Sequence, residues 1–144
     1  MIARRIALSA FAALGIALVA APLAVPRSAA TPRAPAVKVK NARFGYILQS
    51  RNRLPLYYWK REKDAGGKIR CTGGCAVAWP PLLVKSRTSV PARLKNVKGK
   101  FGVVRRPDGR LQVTFRGLAL YAYHNDPPNT VLCDNVDGWF VVRV

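Results

Sequence analysis

Any chemistry in this 144-residue chain must come from a short roster: three cysteines, one histidine and six carboxylates. Cys71-Thr72-Gly73-Gly74-Cys75 places two thiols four positions apart around a glycine pair that can bend the backbone back on itself. In an oxidising compartment that spacing leads to a local Cys71–Cys75 disulfide. Pairing of either one with Cys133 is the alternative, because bridging depends on Cα separations that sequence does not give. If reduced, Cys71, Cys75 and His124 form a conditional ligand set for copper, since thiolate and imidazole both suit Cu(I), and the alternative role they offer is that of a periplasmic redox or copper-handling protein. Otherwise no cofactor is expected. The chain has no C-x-x-C, no nucleophile motif near His124 and no phosphate-cradling glycine loop, so no catalytic residue is assigned. Asp134 and Asp137 fit a loop before a strand as well as they fit a metal site.

The elements that must position these residues are short strands separated by turns. Phe44–Leu48 and Leu54–Lys60 read as strands around a Ser50–Arg53 turn, and Phe101–Arg105 as a third. Pro107-Asp108-Gly109 is a strong turn signal, because proline presets φ and glycine accepts positive φ. Leu111–Phe115 alternates apolar and polar residues with period two, as a half-buried strand does. Leu118–Tyr123 and Gly138–Val142 complete the set, and Cys75–Trp79 is a helical turn stopped by Pro80-Pro81. The expected fold class is mainly β, a small single domain of two diverged strand-turn-strand repeats with one short helical turn.

Ahead of this domain, residues 1–30 run from a basic start (Arg4, Arg5) through an apolar stretch to small residues at Ser28-Ala29-Ala30. That order is expected of a secretory signal peptide. The apolar run is shorter than the roughly 20 residues of a membrane span, so no span is expected after cleavage. Residues 31–42, with Pro32 and Pro35, read as an extended tether, and 43–144 as the domain.

The domain repeats itself. Leu56-Tyr57-Tyr58-Trp59-Lys60-Arg61-Glu62 matches Leu120-Tyr121-Ala122-Tyr123-His124-Asn125-Asp126 at an offset of 64, and Phe44-Gly45 matches Phe101-Gly102 at an offset of 57. On this alignment repeat 1 covers about 44–83 and repeat 2 about 101–143, with seven extra residues in the second. Tyr57 and Trp59, like Tyr121 and Tyr123, share one face of a strand and supply core aromatics. Glu62 and Asp126 fall past the strand ends, where a carboxylate can accept turn amides.

The duplicated Y-x-[FWY]-x-x-D pattern, joined by Cys71-Thr-Gly-Gly-Cys75-Ala-Val-Ala-Trp79-Pro-Pro-Leu82, resembles the bacterial secreted-repeat family of predicted lipoproteins. The likeness spans about 44–143 and includes the Arg106–Phe115 hairpin. It implies a secreted location and this architecture, and supplies no reaction. The chain departs from the family pattern in three places. Glu62 stands for the first Asp, no lipid-bearing cysteine follows the leader, and Cys133 occupies a stretch where glycines are usual. A soluble periplasmic or extracellular protein without a lipid anchor is the expectation.

Charge is the remaining signal. The whole chain carries 25 basic and six acidic side chains, a formal +19, and residues 85–110 alone hold nine basic residues against Asp108. Such a field attracts polyanions. The expected role is an envelope-associated binding or structural module for an anionic surface or polysaccharide, without specific nucleic-acid recognition, because the aromatics are better used as core than as stacking platforms.

Overall fold

A computed structural model describes residues 33–144. The leader expected at 1–30 lies outside the described residues, as do the first two residues of the expected tether. The chain forms β1 (Ala36–Asn41), β2 (Gly45–Ser50), β3 (Tyr57–Trp59), α1 (Lys60–Asp64), α2 (Gly74–Ala78), β4 (Leu83–Val84), β5 (Phe101–Arg105), β6 (Leu111–Phe115), β7 (Leu118–Ala119) and β8 (Trp139–Val141). The mainly β fold class holds: the sheets are small and antiparallel, and the helices are single turns.

The tether reading fails over 36–41. These residues are extended, but they pair with β2 along their whole length, Ala36 opposite Ser50 through Asn41 opposite Gly45. Alternating Val37, Val39 and Lys38, Lys40 are strand residues with a paired ladder, and Ala36 is fully buried. The domain therefore begins before residue 43.

That strand also corrects the repeat alignment. β1 and β2 form the hairpin that β5 and β6 form in the second copy, with Val39 opposite Ile47 as Val104 is opposite Gln112. The matching offset is 65, and it falls to 64 at Leu56 and Leu120. Phe44-Gly45 lies at the turn entering β2, whereas Phe101-Gly102 opens β5. The two Phe-Gly pairs are not equivalent, and the second copy has no seven-residue insertion in its hairpin.

Beyond their tryptophans the two copies exchange strands. β4, the end of copy one, pairs with β6 of copy two, Leu83 opposite Gln112 and Val84 opposite Leu111. The end of copy two returns to copy one: β8 pairs with β3, Arg143 bridges Ile47, and the Val144 amide donates to the Tyr46 carbonyl over 2.9 Å. The backbone bonds repeat in detail. Leu48 donates to Val142, Val142 to Leu56 and Leu56 to Leu48, while Val113 donates to Leu82, Leu82 to Leu120 and Leu120 to Val113. A pseudo-twofold axis relates the two rings and passes between Tyr57 and Tyr121, whose amides and carbonyls bond reciprocally at 2.8 and 3.0 Å.

Both faces of the central strands are covered, so two apolar clusters form. Leu48, Leu56, Phe101, Val113, Phe115, Leu120 and Val142 make one, and Ile47, Tyr57, Cys71, Trp79, Tyr121, Trp139 and Val141 make the other. The copies touch closely at Gly67, whose φ is +84° and where a Cβ would stand 2.7 Å from the Gly117 carbonyl oxygen. A side chain there meets backbone that has no room to yield.

Candidate functional site

The repeated motif assembles across the axis, each copy completing the other. In a short strand Tyr57 and Trp59 face one way, and α1 then carries Glu62 back beneath the sheet. The Tyr121 hydroxyl of copy two donates to Glu62 Oε1 of copy one over 2.8 Å. Reciprocally, Tyr57 of copy one donates to Asp126 Oδ2 of copy two over 2.5 Å. Each acid also accepts from its own turn, as expected. Glu62 Oε1 takes the amides of Arg70 and Cys71 at 2.7 and 3.0 Å, and Asp126 Oδ1 takes that of Leu132 at 3.1 Å.

Burial sets the electrostatics of these pairs. Both tyrosine hydroxyls are pushed well above their ordinary range, first by loss of water and then by the neighbouring carboxylate. Burial also raises Asp126, against the opposing pull of the Tyr57 and Leu132 hydrogen bonds. Glu62 Oε2 is buried and has no hydrogen-bond partner among the described residues.

The aromatic residues form a four-ring ladder that obeys the same axis. Trp59 stacks on Trp139 at 5.2 Å and Trp139 on Trp79 at 3.9 Å, and Tyr123 meets Trp79 at 4.7 Å with its plane tilted by 36°. Tyr57 meets Trp79 edge-on at 5.3 Å, as Tyr121 meets Trp139 at 5.1 Å. Edge-to-face and offset pairs of this kind add stabilisation beyond area burial. All six motif residues, Tyr57, Trp59, Glu62, Tyr121, Tyr123 and Asp126, thus share one interface.

Sequence reading missed Arg106, which is 2% exposed. Its Nη1 donates to Gln112 Oε1 at 2.5 Å and its Nη2 to the Cys71 carbonyl at 2.7 Å. Gln112 in turn donates from Nε2 to the Leu120 carbonyl at 2.8 Å. This network ties the copy-two hairpin to the copy-one cysteine loop. Arg106 was one cation among many in the sequence, and only the buried Gln112 in an alternating strand hinted at an inward polar partner.

Cys71 and Cys75 form a disulfide, with Cα atoms 5.2 Å apart. The alternative pairings with Cys133 do not form, and Cys133 is free. Cys133 follows the amide that caps Asp126, as Cys71 follows the first amide that caps Glu62. It therefore stands in copy two where Cys71 stands in copy one, without a counterpart of Cys75. Burial raises its thiol above the ordinary range.

The conditional copper set is not assembled. Both sulfurs of Cys71 and Cys75 are spent on each other, and His124 Nδ1 lies 2.9 Å from the Ala78 carbonyl. Among the described residues no three His, Cys, Asp or Glu side chains gather into a metal cluster. Nor is any described helix long and apolar enough to cross a membrane.

Residues 38–83 match the model of a family described as a secreted repeat of unknown function. The secreted-repeat match runs from β1 to β4, and so coincides with one structural copy, including the exchanged strand. Its counterpart in the second copy, from β5 to Arg143, is related to it here by structure. No curated protein and no solved structure matches the chain.

Proposed function

We propose that this protein is a secreted, non-catalytic module that associates with an anionic surface of the cell envelope, such as lipid headgroups or acidic polysaccharide. The observation that carries the reading is how the acids are used. Of six carboxylates, Glu62 and Asp126 are buried against tyrosines. That leaves Asp64, Asp108 and Asp137 exposed and Asp134 largely covered by its pair with Arg143, against the 22 basic side chains in residues 33–144, of which Arg106 is buried. Asp108 alone engages two arginines, Arg106 and Arg110.

A surface with so few counter-charges draws polyanions by long-range attraction and counterion release. Soluble periplasmic or extracellular residence without a lipid anchor fits the leader-like segment and the absence of a cysteine at its exit. The test is retention on heparin and on vesicles of anionic phospholipid across a salt series. Binding that weakens steeply between 50 and 500 mM salt, on the order of the Debye screening change, is the expected result. Retention that is absent at low salt, or unchanged at high salt, refutes it.

A further inference from the structure

The internal duplication supplies its own control. Residues that the fold needs recur at equivalent positions, and residues that serve something else need not. The axis residues recur almost one for one: Tyr57 with Tyr121, Glu62 with Asp126, Trp79 with Trp139. The cleft between β3, the β6–β7 turn and the C-terminal end does not. This cleft, of about 250 Å³, is lined by Tyr58, Lys63, Phe115, Arg116, Leu118, Leu120, Val142 and Arg143. At the matching places around the axis stand Ala122 for Tyr58, Pro127 for Lys63, Ser50 for Phe115 and Leu83 for Arg143. Both aromatic walls, Lys63 and Arg143 are thus particular to one side of a pseudo-symmetric molecule, while Arg116 is matched by Arg51.

The cleft combines two chemistries. Its floor is the buried apolar surface of Phe115, Leu120 and Val142, with Leu118 and Tyr58 half-exposed above it. Its rim is cationic. Lys63 Nζ lies 5.9 Å from the Tyr58 ring centre, and the Arg116 guanidinium lies 4.8 Å from that of Phe115. Arg143 is already paired with Asp134 at 2.6 Å. Lys63 and Arg116 have no ion-pair partner among the described residues. Arg116 spends Nε and Nη2 on the Lys98 carbonyl, which holds the guanidinium in place over the cleft.

We infer that this cleft is a binding site for a small amphiphilic anion, a carboxylate or phosphate bearing one short chain or ring. The volume falls just under the roughly 300–1,000 Å³ of sites that enclose a drug-sized ligand, which limits the apolar body to a short one. An apolar floor with a few placed polar groups at its edge is the usual form of such sites. The anionic head meets Lys63 and Arg116, and the body displaces water from Tyr58 and Leu118. This site goes beyond the polyanion reading and stands without it.

Titration calorimetry on the whole protein tests the site with octanoate, octyl phosphate, 1-octanol and acetate. Octanoate or octyl phosphate is expected to bind at one site at least tenfold more tightly than 1-octanol or acetate, and the stronger of the two identifies the head group. Lys63 is exposed, so Lys63→Glu leaves folding intact and is expected to weaken octanoate at least about threefold, a modest change in keeping with a solvent-exposed charge. Leu118→Trp fills the cleft and is expected to abolish octanoate binding while leaving heparin retention unchanged. Equal affinity for octanoate and 1-octanol, wild-type affinity in Lys63→Glu, or no saturable binding at millimolar octanoate overturns the inference. Loss of heparin retention alone overturns only the polyanion reading.

Discussion

The two copies solve one problem with unequal means. Copy one holds its acid, Glu62, with two backbone amides and a tyrosine, and closes the following loop with the Cys71–Cys75 bridge. Copy two holds Asp126 with one amide and a tyrosine, and its loop carries only the free Cys133. Copy one also gains Arg106, reaching over from the other hairpin to the Cys71 carbonyl. The Tyr–acid bond, the central tryptophan and the exchanged strand persist in both and lie between copies. The disulfide and the number of turn amides differ and lie within one copy, and Arg106 is the one difference named that crosses the interface.

The comparison can be broken at its centre first. Trp79→Ala and Trp139→Ala each empty a place at the middle of the ring ladder, and each is expected to lower unfolding free energy by about 3–5 kcal/mol. Urea unfolding should give similar losses, since the two rings are related by the axis. A loss confined to one of them contradicts the symmetric reading of the core.

The unequal means are tested next. Removing a hydroxyl that serves a buried acid costs about 1.5–3 kcal/mol. Tyr57→Phe takes one of two donors from Asp126, and Tyr121→Phe takes one of three from Glu62, so the first is expected to cost more. Thermal melts of both variants check the order. Cys71→Ser with Cys75→Ser opens a four-residue separation and is expected to cost about 2 kcal/mol, the chain-entropy value for so short a loop. Intact mass before and after alkylation should meanwhile show one reactive thiol, Cys133.

The smallest effect is in pH. Burial raises Asp126 above its unfolded value of 3.8. The folded state then holds this proton more tightly than the unfolded chain, so the Asp126 contribution to stability is largest below pH 3.8 and declines as pH rises through the raised value. Exposed Asp108 acts in the opposite sense, because Arg110 holds its carboxyl below the usual range. Comparing Asp126→Asn with the parent from pH 3 upward isolates the first contribution. The variant should lack the decline, and an unchanged profile contradicts the assignment.

Local signals in the sequence were enough for the second hairpin. β5 and β6 have the limits that Phe101, the Pro107-Asp-Gly turn and the alternation of Leu111–Phe115 indicate. The helical turn before Pro80 and the duplicated tyrosine motif were equally legible, and the turn role of the two acids held. β1 was not, because Lys38, Lys40 and the flanking prolines resemble a solvated tether until a partner strand is present. α1 was hidden for a related reason: Trp59 to Asp64 reads as the end of an aromatic strand, and only the pull of Glu62 toward Arg70 and Cys71 bends it into a turn. The exchange of β4 and β8 leaves no local trace at all. Two residues after a proline pair carry no periodicity, and their partner lies in the other copy. Arg106 and the cleft around Lys63 share that property, since both depend on residues distant in sequence.

Strand exchange is therefore the claim on which the architecture depends, and dividing the chain tests it. With a cut in the loop between Val90 and Phe101, each half retains its own hairpin and motif but loses the strand and the tyrosine that the other supplies. Circular dichroism and sedimentation of the halves, separately and mixed, are the measurement. Neither half should fold as a monomer, and mixing should restore a one-to-one complex with cooperative unfolding. A single half that unfolds cooperatively as a monomer, with its acid buried and its tryptophan stacked, would contradict the account.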